Sequence, residues 1–238
     1  MALLDVNGDA AQERANGLGD KHKAWACDVT NESQVKAVMS QVQTTFGHLD
    51  ALVNNAGIGD QAAPTLMQSV DAFDRVLSVH LRGNFLMSRE AIAHMQTQSR
   101  DAAGQRGAIV NIGSIASTVG IPGRNAYCAA KAGVLGMTRA LASEWARYGI
   151  RVNAVSPGYV RTTLVERLVQ QGAINASAVD HRTPLGRMGR PDEIANVIEF
   201  LASSRASFVT GAALAADGGW TALGAPESAL PLIEEPTN

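Results

Sequence analysis

The chain has 238 residues, 46% hydrophobic and 18% charged, enough apolar content to bury the core of one α/β-sized domain and too much for a disordered chain. Its 20 basic and 22 acidic side chains leave a net charge of −2 without a Lys/Arg block, which argues against nucleic acid or an anionic membrane surface and for a small-molecule partner. No basic leader with a long apolar run follows Met1, and no stretch reaches the ~18 apolar residues of a membrane span, so a cytoplasmic protein is expected.

Along the chain, short apolar runs alternate with stretches of helical period, the pattern of βαβ units on a mostly parallel sheet. The expected elements are a strand at Ala2–Asp5, a helix at Asp9–Leu18, a strand at Lys23–Cys27, a helix at Glu32–Phe46 and a strand at Ala51–Asn54. A long helix over Val70–Gln98, a strand at Ala108–Ile112, a helix over Ala126–Tyr148 and a strand at Arg151–Val155 follow. A short helix within Thr163–Gln171, a helix at Asp192–Ala202 and a strand at Ala212–Ala215 complete the series. Gly149 stands at a helix C-cap, and Pro191 opens the helix after it. Cys27 and Cys128 have neither disulfide-framework nor zinc spacing and read as buried free thiols. From Gly224 onward the Pro-rich, acidic stretch has no period and reads as a loose tail or a packing arm.

The chemistry concentrates in Tyr127-Cys128-Ala129-Ala130-Lys131, where a phenol and an ammonium four residues apart share one helix face. A phenol titrates near ~10, and a nearby cation lowers that value, making the tyrosine a usable acid or base toward an alcohol or carbonyl oxygen. Ser114 directly follows the apolar strand AIVNI, where strand ends of α/β sheets present their chemistry, and can donate to the same oxygen.

With these residues the chain resembles the short-chain dehydrogenase/reductase family, and the blocks fall in the family's order: NNAG (Asn54 to Gly57), IVNIGSIAS, AYCAAK, IRVNAVSPGYVRT, PLGRMGRPDEIA and ADGGW. The resemblance spans about Ala2 to Ala222 and implies a Rossmann-like, doubly wound parallel sheet in one domain, 1–222, with 223–238 as a C-terminal tail. It also implies that Tyr127 is the acid/base, that Lys131 lowers its pKa and holds the nicotinamide ribose, and that Ser114 positions the substrate oxygen. The family's fourth catalytic position is an asparagine in a VNLxG-like setting, and here VHLRG puts His80 there. An imidazole can relay protons, so His80 stands as a relay or as a structural histidine.

For the cofactor, Asp5 at the end of ALLD matches the acid that receives the adenosine ribose hydroxyls and repels a 2′-phosphate, favouring NAD over NADP. Asp28 and Val29 resemble the adenine contact, Asp28 also being able to cap the next helix. Asn54, Ala56 and Gly57 resemble the segment beside the adenosine ribose, and Pro157, Gly158, Val160 and Thr162 the turn that holds the carboxamide. Residues 163–187 would form the substrate lid, with Leu164, Leu168 and Tyr159 as apolar surface.

The family's Gly-rich phosphate loop should precede the Asp5 strand by about 20 residues, yet Met1 stands just before that strand. Gly57–Ala62 formally fits GxGxxA, but Pro64 and the want of an immediate helix argue against a pyrophosphate cradle. An N-terminally incomplete sequence is the expectation. In the family's strand order 3-2-1-4-5-6-7 the missing strand is central, so the Asp5 and Ala51 strands should face each other across ~9.6 Å with unpaired backbone, and the chain should fold poorly or rearrange its sheet. The reading is an NAD(H)-dependent oxidoreductase of alcohols or ketones, a homodimer or homotetramer without nucleic acid, membrane or metal. The rival is a catalytically silent dimerisation or scaffold subunit.

Overall fold

The computed structural model describes residues 1–226 and Leu230, and among them places six strands, all parallel to their partners, between eight α-helices. β1 (Ala2–Asp5), α1 (Gly8–Leu18), β2 (Lys23–Ala26), α2 (Glu32–Phe46) and β3 (Ala51–Asn54) form the N-terminal part. After α3 (Val70–Leu77) and α4 (Asn84–Met95) come β4 (Gly107–Ile112), α5 (Asn125–Trp145) and β5 (Ile150–Pro157). The last elements are α6 (Thr163–Gln170), α7 (Ala176–Arg182), α8 (Pro191–Ala202) and β6 (Ala213–Ala216). Side-chain oxygens start several helices: Asn7 accepts from Ala10 N–H and Asn31 from Gln34 N–H, satisfying donors that a helix leaves open. Gly149, at φ +81°, turns the chain from the end of α5 into β5, a left-handed conformation that favours glycine.

The strands form two sheets, β1-β2 and β3-β4-β5-β6. The order within each is the one the family resemblance implies, so the sheet is interrupted between β1 and β3 and not rearranged. What joins the two sheets is apolar packing. Ala2, Leu4 and Trp25 from the first sheet and Leu52, Ile109 and Val152 from the second share one cluster with Val35, Val38 and Val42 of α2 and Leu86, Ala91 and Met95 of α4. A second cluster packs α8 on the other side of β4 and β5, through Leu201, Val110 and Val155.

The single helix expected over Val70–Gln98 is instead three segments. α3 and α4 are joined by a π-helical turn, Ser78–Gly83, whose flanking residues keep right-handed helical angles, and α4 ends at Met95. The helix expected to reach Tyr148 ends at Trp145 and closes in a 3₁₀ turn, Ala146–Tyr148. Cys27 is buried, whereas Cys128 is only half-buried, because it lies on α5 away from the apolar face that receives Ala126 and Ala130. α7 was not expected from the sequence. Most of the tail expected from Gly224 lies outside the described residues. No helix among the described residues is long and apolar enough to cross a membrane.

Candidate active site

Because the strands run parallel, Asn54, Ile112 and Pro157 end β3, β4 and β5 on one rim of the larger sheet. Ser114 stands two residues past β4 in extended backbone and opens the 3₁₀ turn Ile115–Ser117. Its hydroxyl oxygen accepts the Ala116 N–H at 3.1 Å, which leaves its own proton free to donate. Tyr127 lies in the first turn of α5 and Lys131 in the next; the buried Lys131 Nζ donates to the Ile112 carbonyl at 2.7 Å and lies 5.6 Å from the centre of the Tyr127 ring. His80, from the π turn, meets that ring edge-on at 5.3 Å between centroids. Ser114, Tyr127, Lys131 and His80 are thus brought together by three separate segments.

Burial dominates the electrostatics here. It raises the Tyr127 phenol, with the Ser114 hydroxyl and the Arg124 charge pulling it back and Cys128 and Asp60 raising it further. Burial also lowers Lys131 to about 8, and lowers His80 to about 4 with help from the Lys131 charge. In this geometry the groups that pull the phenol down are Ser114 and Arg124, while the Lys131 ammonium is tied to the strand carbonyl. His80 is therefore neutral at pH 7. Its Nε2 lies 2.9 Å from the Ile58 carbonyl and 3.2 Å from the Ile58 N–H, so the tautomer decides which of the two it engages. Nδ1 is buried without a partner among the described residues. The group that comes close to Gly57 is this imidazole: a Cβ there would stand 2.7 Å from His80 Cε1.

The residues expected at the cofactor divide. Val29, Asn54 and Ala56 line one crevice together with Val79, Gly83, Asn84 and Met87. Within it the Asn54 amide nitrogen is already engaged, lying 2.9 Å from each of Asn84 Oδ1, Ser88 Oγ and Asn111 Oδ1, so that nitrogen is not free for a ligand. Asp28 does not cap α2, a task that falls to Asn31; its Oδ1 accepts from the Thr30 N–H and hydroxyl. Asp5 is exposed at the end of β1, with Oδ1 accepting the Asn7 N–H at 2.8 Å. Pro157 ends β5, Gly158 N–H donates to Ala216 O, Val160 bridges to Gly189, and the exposed Thr162 caps α6. A Cβ on Gly158 would meet Asp217 Cα at 2.9 Å, so glycine is what lets β5 and the turn after β6 approach.

Sequence reasoning missed the polar network that Asn54 joins. Asn111, fully buried in β4, passes it on to Thr138 of α5 and so to the Val134 carbonyl. The signal was an asparagine inside the apolar run AIVNI, which a strand buries only with partners. Asp60 was missed as well; its Oδ2 accepts the Tyr127 N–H at 3.1 Å.

The residues fit the nicotinamide end of a dinucleotide. Lys131 is a buried cation that faces no carboxylate among the described residues and uses one of its three donors on Ile112, leaving two for ligand hydroxyls. No Gly-rich turn opens a helix behind Gly57: the chain runs irregularly to a 3₁₀ turn at Thr65–Met67.

Residues 1–221 match the family model described as Enoyl-(Acyl carrier protein) reductase. An uncharacterised short-chain type dehydrogenase/reductase of Sinorhizobium fredii is 40% identical over 229 residues, 96% of this chain, and this chain spans 40% of that relative's length. A cis-4-hydroxycyclohexanecarboxylate dehydrogenase of Sinomonas cyclohexanicum is 46% identical over 218 residues, 90% of this chain and 84% of the relative. Among solved structures, a gluconate 5-dehydrogenase from Burkholderia cenocepacia, in complex with NADP and tartrate, superposes with a TM-score of 0.85 at 33% identity, covering 93% of this chain and 85% of the other. Parallel sheets, rim and relatives together define an α/β oxidoreductase of Rossmann-like fold. The chain belongs to the short-chain dehydrogenase/reductase family.

Proposed function

We propose that the protein moves a hydride between NAD(H) and a small secondary alcohol or the matching ketone, with Tyr127 as general acid/base. The observation that carries this reading is the meeting of the Ser114 hydroxyl, the Tyr127 phenol and the buried Lys131 ammonium at the end of β4. In reduction, Tyr127 gives its proton to the carbonyl oxygen while the Ser114 hydroxyl donates to the same oxygen as it gains charge; in oxidation both movements reverse. The raised phenol pKa keeps that proton in place at neutral pH, which favours reduction there and oxidation in alkali. The nicotinamide supplies or accepts the hydride when bound. Lys131 turns its two free donors to the nicotinamide ribose, and neutral His80 passes protons toward the Tyr127 region.

Asp28 and Val29 receive the adenine, the backbone of Asn54 with Ala56 and Gly57 the adenosine ribose, and Pro157, Gly158, Val160 and Thr162 the carboxamide. Asp5 leaves one carboxylate oxygen open to ribose hydroxyls and opposes a 2′-phosphate, which sets this chain's NAD preference apart from the NADP held by the solved gluconate 5-dehydrogenase. An apolar groove of about 510 Å³ on the α3–α5 face, lined by Leu77, Leu81, Phe85 and Met137, suits a second copy of the chain.

The test follows NADH absorbance over a panel of secondary alcohols and ketones. Tyr127→Phe is expected to lose ~10² to 10⁴ in rate with the fold retained, and equal rates would remove Tyr127 from the reaction. The interruption between β1 and β3 favours a second reading, a silent scaffold subunit. Turnover by the wild-type chain excludes it.

A further inference from the structure

α5 carries Tyr127 in its first turn, yet its own N-cap residue, Arg124, offers no side-chain acceptor to the open N–H groups there. The acceptor comes from elsewhere in the chain. Asp60, in the irregular stretch after β3, places Oδ2 3.1 Å from the Tyr127 nitrogen and is braced by the Gln61 N–H on Oδ1 at 2.8 Å. Around this bond the segment from Asp60 to Gln68 is fastened to the turn that enters α5. Ala63 N–H and Gln68 Nε2 both donate to the Gly123 carbonyl, Asn125 Nδ2 donates to Thr65 Oγ1, and Arg124 Nη1 reaches the Asp60 carbonyl at 3.4 Å. Gly123 has φ +76°, and a Cβ there would lie 3.2 Å from Ala63 O, so the clasp depends on a glycine.

We propose that Asp60 is a positioning residue for Tyr127: its carboxylate supplies the N-terminal cap that α5 lacks and places a negative charge beside the phenol that exchanges the substrate proton. This rests on the role given to Tyr127 above. A carboxylate at a helix N-terminus is favoured by the dipole, so the bond fixes the first turn of α5 and with it the direction of the Tyr127 side chain. The same charge disfavours phenolate, and it acts among a short set of neighbours. Facing Tyr127 are Lys131, Arg124 and Cys128 on or next to α5, His80 from the π turn, Ser114 from the end of β4 and Asp60 itself. Removing the Asp60 charge while keeping its acceptor moves the Tyr127 titration to lower pH and leaves the helix capped.

The two effects separate in Asp60→Asn and Asp60→Ala. With Tyr ring-¹³C labelling, the chain shows three tyrosine signals, and Tyr127→Phe identifies the one that matters. Both Asp60 variants are expected to move that signal's titration to lower pH, with the alkaline limb of the rate profile following it. Asp60→Ala is expected to lose roughly tenfold in kcat/KM, the effect of a lost cap of ~1.4 kcal/mol passed to the reacting group, and Asp60→Asn to recover most of it. A Tyr127 titration unchanged in both variants, or an Asp60→Asn as slow as Asp60→Ala, overturns the proposal. The labelled titration needs neither substrate nor cofactor. If Tyr127→Phe keeps the wild-type rate, the proposed reaction fails while the titration still decides on Asp60.

Discussion

His80 is 5% exposed between Ile58, Gly57 and Tyr127, and its pKa of about 4 has a measurable effect on stability. In the unfolded chain an imidazole titrates near ~6.5, so between about pH 6.5 and 4 the unfolded state binds a proton that the native state refuses. The stabilisation is complete above the unfolded value, declines as pH falls through the window, and is gone below about 4. In His80→Asn, which restores the family's residue, the window disappears. Urea unfolding of both proteins at pH 7 and pH 5 should show the wild type losing about 2 kcal/mol more than the variant, and parallel losses would mean that the imidazole is solvated in the native state. Tyr127, Lys131 and Ser114 were legible in the sequence because their chemistry is local: a spacing on one helix and a position at a strand end. The side-chain direction of Asn54 was not, since it depends on Asn84, Ser88 and Asn111 arriving from other segments.

Among the elements, those with a clean period emerged within one to three residues of their expected bounds, because burial of one helix face or of whole strands writes itself into the order of apolar residues. The π turn did not emerge. One added residue in a helical turn leaves the apolar pattern from Val70 to Met95 nearly intact, while it changes where the following side chains point. α7 was hidden for the opposite reason: ASAVDHR buries only Val179, and its start is marked by Asn175 accepting the Ala178 N–H. The π turn positions two residues at once, His80 beside Tyr127 and Gly83 against Val29. A Cβ at Gly83 would stand 2.7 Å from Val29 Cγ2 and 3.3 Å from the Val29 carbonyl, so Gly83→Ala must push the loop after β2 away from α4. Overpacking of this kind is worth ~1 to 3 kcal/mol, and if Val29 meets the adenine as proposed, that strain appears as an NADH dissociation constant raised about tenfold or more. Fluorescence titration of NADH measures it. Gly136→Ala, where a Cβ meets nothing within 4 Å, is the control expected to bind as the wild type does. Equal affinity in the two variants would detach Val29 from the cofactor.

Over the whole molecule, stability is divided as the sheets are. β4 and β5 each have strand partners on both sides, and Ile109, Val110, Val152, Ala154 and Val155 are fully buried. β1 and β2 each have one partner among the described residues, and their side chains are half-buried or exposed. The edge of β1 toward β3 therefore carries backbone groups without strand partners, and the unit β1–α1–β2 is held to the rest by the shared apolar cluster with α2 and α4. Such a unit opens at lower free energy than the core that supports it. Amide hydrogen exchange should show β1 and β2 exchanging well before β4 and β5, which exchange only with global unfolding. With Asp5, which ends β1, and Asp28, two residues past the end of β2, proposed at the cofactor, NADH at about 100 times its dissociation constant should slow exchange there by as much as ~100-fold, the ~2.7 kcal/mol that binding to the closed form alone contributes. Exchange at one rate across both sheets would show that the interruption does not divide the molecule's stability. Protection confined to β4 and β5 on adding NADH would place the dinucleotide away from β1 and β2.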